Sequence, residues 1–161
     1  MRKISNEEFN TKYYMYKDMI YNIAYTYVHN VTDADDIVQD VFMKYLNSTE
    51  YFETLDNEKY WLVRVTINTA KTLVKRAWRQ KVELDDEKIS KFSSHEEQQN
   101  YELFEIVSHL APKYKDVIVL YYYENMSTND IARTLNLSVS NVKKRLERAR
   151  KAIKEKEIRN G

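Results

Sequence analysis

The sequence predicts an all-α protein: two small helical domains joined by a flexible acidic linker, the second containing a helix-turn-helix. Three observations carry this. In 161 residues there is one Gly and one Pro, whereas strands joined by tight turns would need more of both. Apolar residues recur at spacings of three and four, the period of a helix with one buried face. Charge is segregated although it nearly cancels: the net charge is +1, yet residues 59–81 hold seven Lys or Arg and no acidic residue, and residues 83–105 hold eight Asp or Glu against two Lys. A chain of this length has room for one ordinary domain or two small ones, and such a shift in composition marks the boundary between two.

Composition also excludes several classes of function. With no Cys there is no disulfide framework, no thiol nucleophile and no cysteine-ligated zinc. The three histidines, His29, His95 and His109, lie in no metal-ligand spacing, so neither a metal nor another cofactor is expected. No apolar run approaches membrane-spanning length and no signal peptide opens the chain, which predicts a soluble, cytoplasmic protein without membrane insertion of its own.

The first domain is expected over 1–81. Ser5-Asn6-Glu7-Glu8 reads as a capping box, in which the Ser hydroxyl and the Glu carboxylate satisfy amides at the start of a helix. Phe9, Tyr13, Tyr16, Ile20, Ile23 and Tyr27 follow at alternating spacings of four and three. Thr32 with Asp35 predicts the cap of a second helix, whose apolar face is Ile37, Val41, Phe42, Tyr45 and Leu46. Its opening is crowded with Asp33, Asp35, Asp36 and Asp40. Carboxylates suit a helix N-terminus, but four in eight residues is more than capping requires. Residues 47–57, polar with Tyr51 and Phe52 interspersed, read as a loop.

A third helix is expected from about Glu58 to Lys81, with Trp61, Leu62, Val65, Thr69 and Leu73 on one side. Arg64, Asn68, Lys71, Lys75, Arg76 and Arg79 supply its polar surface. A basic helix beside exposed rings suits nucleic acid, with cations for phosphates and rings for stacking on unpaired bases. The plainer alternative makes Trp61 and Trp78 core residues and the cations a solvated surface.

Residues 82–93 turn acidic and lose helical periodicity, and are assigned as the linker. The second domain is expected over 94–161. It opens with a capping box at Ser94–Glu97, continues through Leu103, Ile106, Val107 and Leu110, and restarts at Pro112 in a helix reaching Tyr121–Tyr123. From Ser127 to Lys154 the chain reads as a helix-turn-helix. Ser127 and Asp130 form a capping box, and Ile131 and Leu135 lie one turn apart with Ala132 small enough for a close helix crossing. Asn136 falls at the turn, where the left-handed conformation is needed. Leu137 plugs the angle between the helices and Ser138 caps the next one. In that helix Val142, Leu146, Ala149 and Ile153 form the buried stripe. Ser140 and Lys144 point away from it, and Asn141, Lys143, Arg145 and Arg148 flank it. A recognition helix enters the major groove with N-terminal residues on base edges and flanks on phosphates, and this distribution matches that need.

Together DADDIVQDVF, WLVRVTINTA and LAPKYKDVIVLYYYENMSTNDIARTLNLSVSNVKKRLERARK resemble the bacterial RNA polymerase sigma factors of the minimal, extracytoplasmic-function type within the sigma-70 family. The resemblance covers nearly the whole chain, with the motifs in the family's order. It implies a factor with no chemistry of its own that binds core RNA polymerase and directs promoter-specific initiation, a monomer when free and the target of an anti-sigma factor. It implies that Asp35, Asp36, Gln39 and Asp40 face the clamp helices of the large polymerase subunit. Trp61, Arg64, Asn68, Lys71, Lys75 and Arg76, with Tyr51, Phe52 and the loop to Asp56, would then lie along the melted downstream promoter element. Ser138, Ser140, Asn141, Lys143, Lys144, Arg145 and Arg148 would meet the upstream element. This chain departs from the family at Thr72, where Asp is usual, and at Lys75, where Arg is common. Asn136 replaces the usual turn Gly, Asn141 stands for Thr and Lys144 for Ser. Such changes leave the fold intact and bear on which promoter is read.

Two rival readings are weaker. A helix-turn-helix regulator binding an operator would share the second domain but gives no reason for the Asp-rich helix or the basic one, and usually dimerises to read paired half-sites. An enzyme could be suggested by the superficial likeness of Asp35–Asp40 to the magnesium motif of prenyl-transfer enzymes, but a second acidic cluster is missing. A calcium loop from Asp33 lacks its Gly and closing Glu.

Overall fold

The structure, a computed structural model, describes residues 2–81 and 104–160, with side chains to residue 77 in the first stretch and to 158 in the second. Every regular element among the described residues is helical. The chain divides into two compact units, Met1–Lys91 and Phe92–Gly161. The predicted linker over 82–93, the Ser94–Glu97 capping box, Leu103, and the side chains of Trp78 and Arg79 lie outside the described residues.

The first unit is built from α1 (Asn6–Val28), α2 (Val31–Asn47) and α3 (Leu55–Lys81), each packed on the other two. Ser5 caps α1, its hydroxyl accepting the Glu8 amide at 3.1 Å. The cap of α2 differs from expectation: it is Asn30, not Thr32. The chain leaves α1 through His29 in the left-handed region (φ 60°, ψ 21°). Asn30 is thereby extended, and its Oδ1 accepts the Asp33 amide at 2.8 Å while Nδ2 donates to the Asp33 carboxylate at 2.8 Å. Thr32 thus falls inside the first turn. Likewise α3 starts at Leu55, ahead of the predicted Glu58 and inside the predicted 47–57 loop. Thr54 Oγ1 accepts the Asn57 amide at 3.1 Å, and an exposed first turn carries no apolar periodicity to announce it.

The buried stripe of α3 is Leu62, Val63, Thr66, Ile67 and Ala70. Of the predicted stripe, Leu62 is buried, whereas Trp61, Val65, Thr69 and Leu73 are half-buried flanks. Contact with α1 and α2 together centres the buried face between two neighbours, one step around the helix from where a single neighbour would put it. At the start of that stripe lies Glu58, only 6% exposed. Lys12 of α1 donates to its Oε1 at 2.8 Å, Tyr45 of α2 to its Oε2 at 2.9 Å, and the Tyr16 hydroxyl bonds the same carboxylate. Burial first, and then Glu58, push the Tyr16 hydroxyl well above the ordinary phenol range. Tyr45 is pushed up to about 12 by burial and by its bond to Glu58.

The second unit consists of α4 (described over 104–108), α5 (Pro112–Ile118), α6 (Thr128–Leu135) and α7 (Val139–Asn160). Pro112 stands at the first position of α5, where its missing amide is no loss. The expected helix through Tyr123 is present, but Val119–Tyr123 widens into a π-helical turn closed by the Glu124 amide on the Val119 carbonyl at 3.1 Å. That turn keeps Val119 and Leu120 in the core and leaves Tyr122 and Tyr123 exposed. Packed under α7, Asp116 of α5 is 4% exposed. Burial pushes its carboxyl up to about 7, against the opposing pull of the Arg145 guanidinium on α7.

Two stability predictions result. Removing one partner of a buried charged network leaves the others unpaired, so Glu58→Ala should cost about 3 kcal/mol or more in urea unfolding, and Glu58→Gln, which retains the Tyr45 bond, clearly less. For Asp116 the folded state holds the proton more tightly than the unfolded one. Its contribution is therefore fully present below the unfolded value of 3.8 and is lost as pH rises through about 7. The thermal midpoint of Asp116→Asn relative to the parent should accordingly rise across that window and level off above it.

Candidate nucleic-acid interface

Within the second unit the helix-turn-helix is assembled by local interactions. Ser127 caps α6, its hydroxyl accepting the Asp130 amide at 3.1 Å. Asn136 ends α6 in the left-handed region (φ 56°, ψ 50°), which Asn tolerates better than other residues bearing a Cβ. The Leu137 amide then closes on the Ala132 carbonyl at 2.8 Å, the bond that turns a chain out of a helix. Ser138 accepts the Asn141 amide at 3.0 Å and opens α7.

Val142, Leu146 and Ala149 are fully buried, and Ile153 is half-buried. On the outward side Ser138, Ser140, Lys143, Lys144 and Arg148 are exposed; Asn141 and Arg145 are half-buried. These two are joined, Arg145 Nε donating to Asn141 Oδ1 at 3.2 Å. The face therefore offers a small polar N-terminal end, one preset Asn–Arg pair and cations beyond, a layout suited to base edges first and phosphates after.

In the first unit the structure separates acid from base. Asp35, Asp36, Gln39 and Asp40 are all exposed on α2, opposite the buried Ile37, Val38 and Val41. Asp33 is absorbed by the Asn30 cap, so the other three carboxylates serve no capping purpose. Met43 is 55% exposed and stands one turn beyond Gln39 and Asp40, an apolar centre in an acidic face. Its spacing from Asp36, Gln39 and Asp40 places it on their side of the helix, a position that the charge pattern alone does not mark.

On α3, Arg64, Asn68 and Lys75 are exposed and Lys71 half-exposed, at spacings of four, three and four, so they form one stripe facing away from the core. Arg76 departs from it. It lines a cleft of about 270 Å³ between α2 and α3 together with Asp36, Asp40, Lys44, Thr69 and Thr72. Lys44 bridges the two helices there, 2.9 Å from Thr69 Oγ1 and 3.4 Å from the Asp40 carboxylate.

The two loop aromatics are used differently. Tyr51 is 84% exposed. Phe52 lies 5.7 Å from the Trp61 ring and stacks on Tyr45 with centroids 6.5 Å apart. Trp61 is thus half-buried in an aromatic cluster, between the two roles the sequence allowed it. A further participant, Arg2, places its guanidinium 4.4 Å over Tyr45 and 4.9 Å over Phe52. Nothing in the pattern around Arg2 signals contacts more than forty residues away.

No helix among the described residues is long and apolar enough to cross a membrane, and no group of three or more His, Asp or Glu side chains among them could hold a metal ion. Residues 13–80 match Sigma-70 region 2 and residues 101–153 match Sigma-70, region 4. The RNA polymerase sigma factor SigV of Bacillus subtilis is 30% identical over 142 residues, covering 86% of this chain and 84% of that protein. The ECF RNA polymerase sigma factor SigW of the same organism is 27% identical, with coverages of 91% and 86%. The fold is shared with the sigma factor RpoE of Bartonella quintana, solved with the anti-sigma factor NepR, at a TM-score of 0.76, 22% identity and coverages of 92% and 96%. CnrH, solved with the cytosolic domain of CnrY, gives 0.74 at 21% identity, covering 98% and 92%. Sigma factors are transcription initiation factors and not enzymes. Two matched regions and relatives along nearly the full length agree: the chain belongs to the sigma-70 family as a sigma factor of the extracytoplasmic-function type, directing RNA polymerase to specific promoters.

Proposed function

We propose that the exposed surfaces divide the work of promoter recognition. Asp35, Asp36, Gln39 and Asp40, with Met43 among them, dock on the clamp helices of the large subunit of core RNA polymerase. Trp61, Arg64, Asn68, Lys71, Lys75 and Arg76, with Tyr51 and Phe52, accompany the melted downstream element. Ser138, Ser140, Asn141, Lys143, Lys144, Arg145 and Arg148 meet the duplex of the upstream element. The first unit thus carries docking and melting, and the second carries upstream recognition.

The observation that supports this most directly is the assignment of opposite exposed charge to separate helices, acidic on α2 and basic on α3 and α7. A carboxylate face repels DNA and suits a basic protein surface, whereas a basic stripe does the reverse. We further propose that the protein works in the cytoplasm, as a monomer when free, without a cofactor, and under the control of an anti-sigma partner. The last point is supported by RpoE, which was solved with one.

Run-off transcription with purified core polymerase on genomic fragments should yield start sites that appear only when this protein is added. Replacing Asp35, Asp36 and Asp40 by Asn and Gln39 by Ala should abolish those transcripts and lower co-purification with core at least about tenfold, since close interfacial charges act together. Circular dichroism should be unchanged; retained core binding would remove α2 from the docking role. On a library of randomised upstream elements, Lys144→Ala should change the preferred sequence at a cost of about 1–3 kcal/mol at one position. Arg148→Ala should weaken all sequences alike and lower the salt slope by roughly one unit.

A further inference from the structure

We propose that Arg2 is the positioning residue that holds the 48–54 loop in the shape in which it receives unpaired bases. This rests on the assignment of Tyr51 and Phe52 to the melted downstream element. Residue 2 lies outside both matched segments, which begin at 13 and 101, so the role is argued from contacts in this chain.

Arg2 precedes α1 yet lies against the far end of α2. Its backbone amide donates to the Leu46 carbonyl at 2.7 Å and its Nε to the Tyr45 carbonyl at 3.1 Å. α2 ends at Asn47, so both acceptors belong to its last turn, where a cation is favoured; the Tyr45 carbonyl also accepts the Ser48 amide at 3.3 Å. The guanidinium simultaneously covers the Tyr45 and Phe52 rings, at 4.4 and 4.9 Å, while Trp61 lies 5.7 Å from Phe52.

Phe52 is therefore held by Arg2, Tyr45 and Trp61, and the loop containing it has its other end tied at the Thr54 cap of α3. Tyr51, adjacent to that anchor, is left 84% exposed. A ring presented to solvent beside a fixed neighbour is preorganised for stacking on an extruded base, and loss of the anchor would let the pair exchange positions. Arg suits this task better than Lys. Its planar group stacks on rings while Nε donates in the same plane, whereas an ammonium supplies only a point charge. Tyr45 is also bonded to Glu58, which ties the clamp to the buried carboxylate of α3.

The test uses holoenzyme reconstituted from core polymerase and the full chain, at a promoter found by run-off transcription. Open complexes are counted by permanganate reactivity, with core association and thermal midpoint measured alongside. Tyr51→Ala should lower the open-complex fraction at least about fivefold, as loss of one stacked base does, and Arg2→Ala about two- to fivefold, the range of a solvent-accessible cation–π contact. Core association should be unchanged, and the double variant should be no worse than Tyr51→Ala, because both act through one loop. Arg2→Lys should restore folding if Arg2→Ala unfolds, yet remain deficient in opening. Normal opening by Arg2→Ala alongside a defect in Tyr51→Ala overturns the inference and leaves the loop assignment standing. No defect in Tyr51→Ala overturns the loop assignment and the inference with it. Defects that multiply in the double variant assign Arg2 to general stability.

Discussion

Glu58 is the constraint on which the first unit depends. A carboxylate this buried is tolerable only when its oxygens are filled, and the two helices that fill them, α1 through Lys12 and Tyr16 and α2 through Tyr45, are those against which α3 packs. The apolar core of Ile20, Ile23, Ile37, Val41, Leu62 and Ile67 supplies most of the cohesion but little orientation, because greasy faces slide and rotate at small cost. The carboxylate lacks that freedom: three donors from two helices converge on one group. Rotation of α3 is thereby fixed, and with it the direction of Arg64, Asn68 and Lys75.

That rotation is what separates the working surfaces. With α3 held at this angle, its basic stripe faces away from the three-helix core, and the acidic residues of α2 occupy another side of the unit. The two surfaces meet along the α2–α3 cleft, where Lys44 and Arg76 stand among Asp36 and Asp40. Those cations temper the carboxylates that lie nearest the basic stripe of α3. A net charge of +1 thus describes no part of the molecule, because the charges are sorted by helix, acidic on α2 and basic on α3 and α7.

The second unit solves a different problem with the same economy of parts. Its turn must be sharp, yet the only glycine of the chain is Gly161, so Asn136 takes the left-handed position. Asp116 beneath α7 keeps its proton more readily than a surface carboxylate and faces the charge of Arg145, which also bonds Asn141. Arg145 therefore stands between the buried carboxyl of Asp116 and the side chain of Asn141.

What the sequence by itself determined was whatever repeats within one or two helical turns. Ser5, Ser127 and Ser138 cap the helices they were expected to cap, Asn136 makes the turn, and Val142, Leu146 and Ala149 form the stripe, because each depends on neighbours three to five residues away. Tertiary structure decided the rest. Asn30 displaced Thr32 as a cap because the path out of α1 set its backbone angles, and the buried face of α3 moved to Val63, Thr66 and Ala70 because two helices flank it. Glu58 and Arg2 gained their partners across 46 and 43 residues of chain. A lone Glu in a helical first turn and a lone Arg near an amino terminus look like solvated charge; only the packing of three helices converts one into the hub of a core and the other into a clamp on a loop.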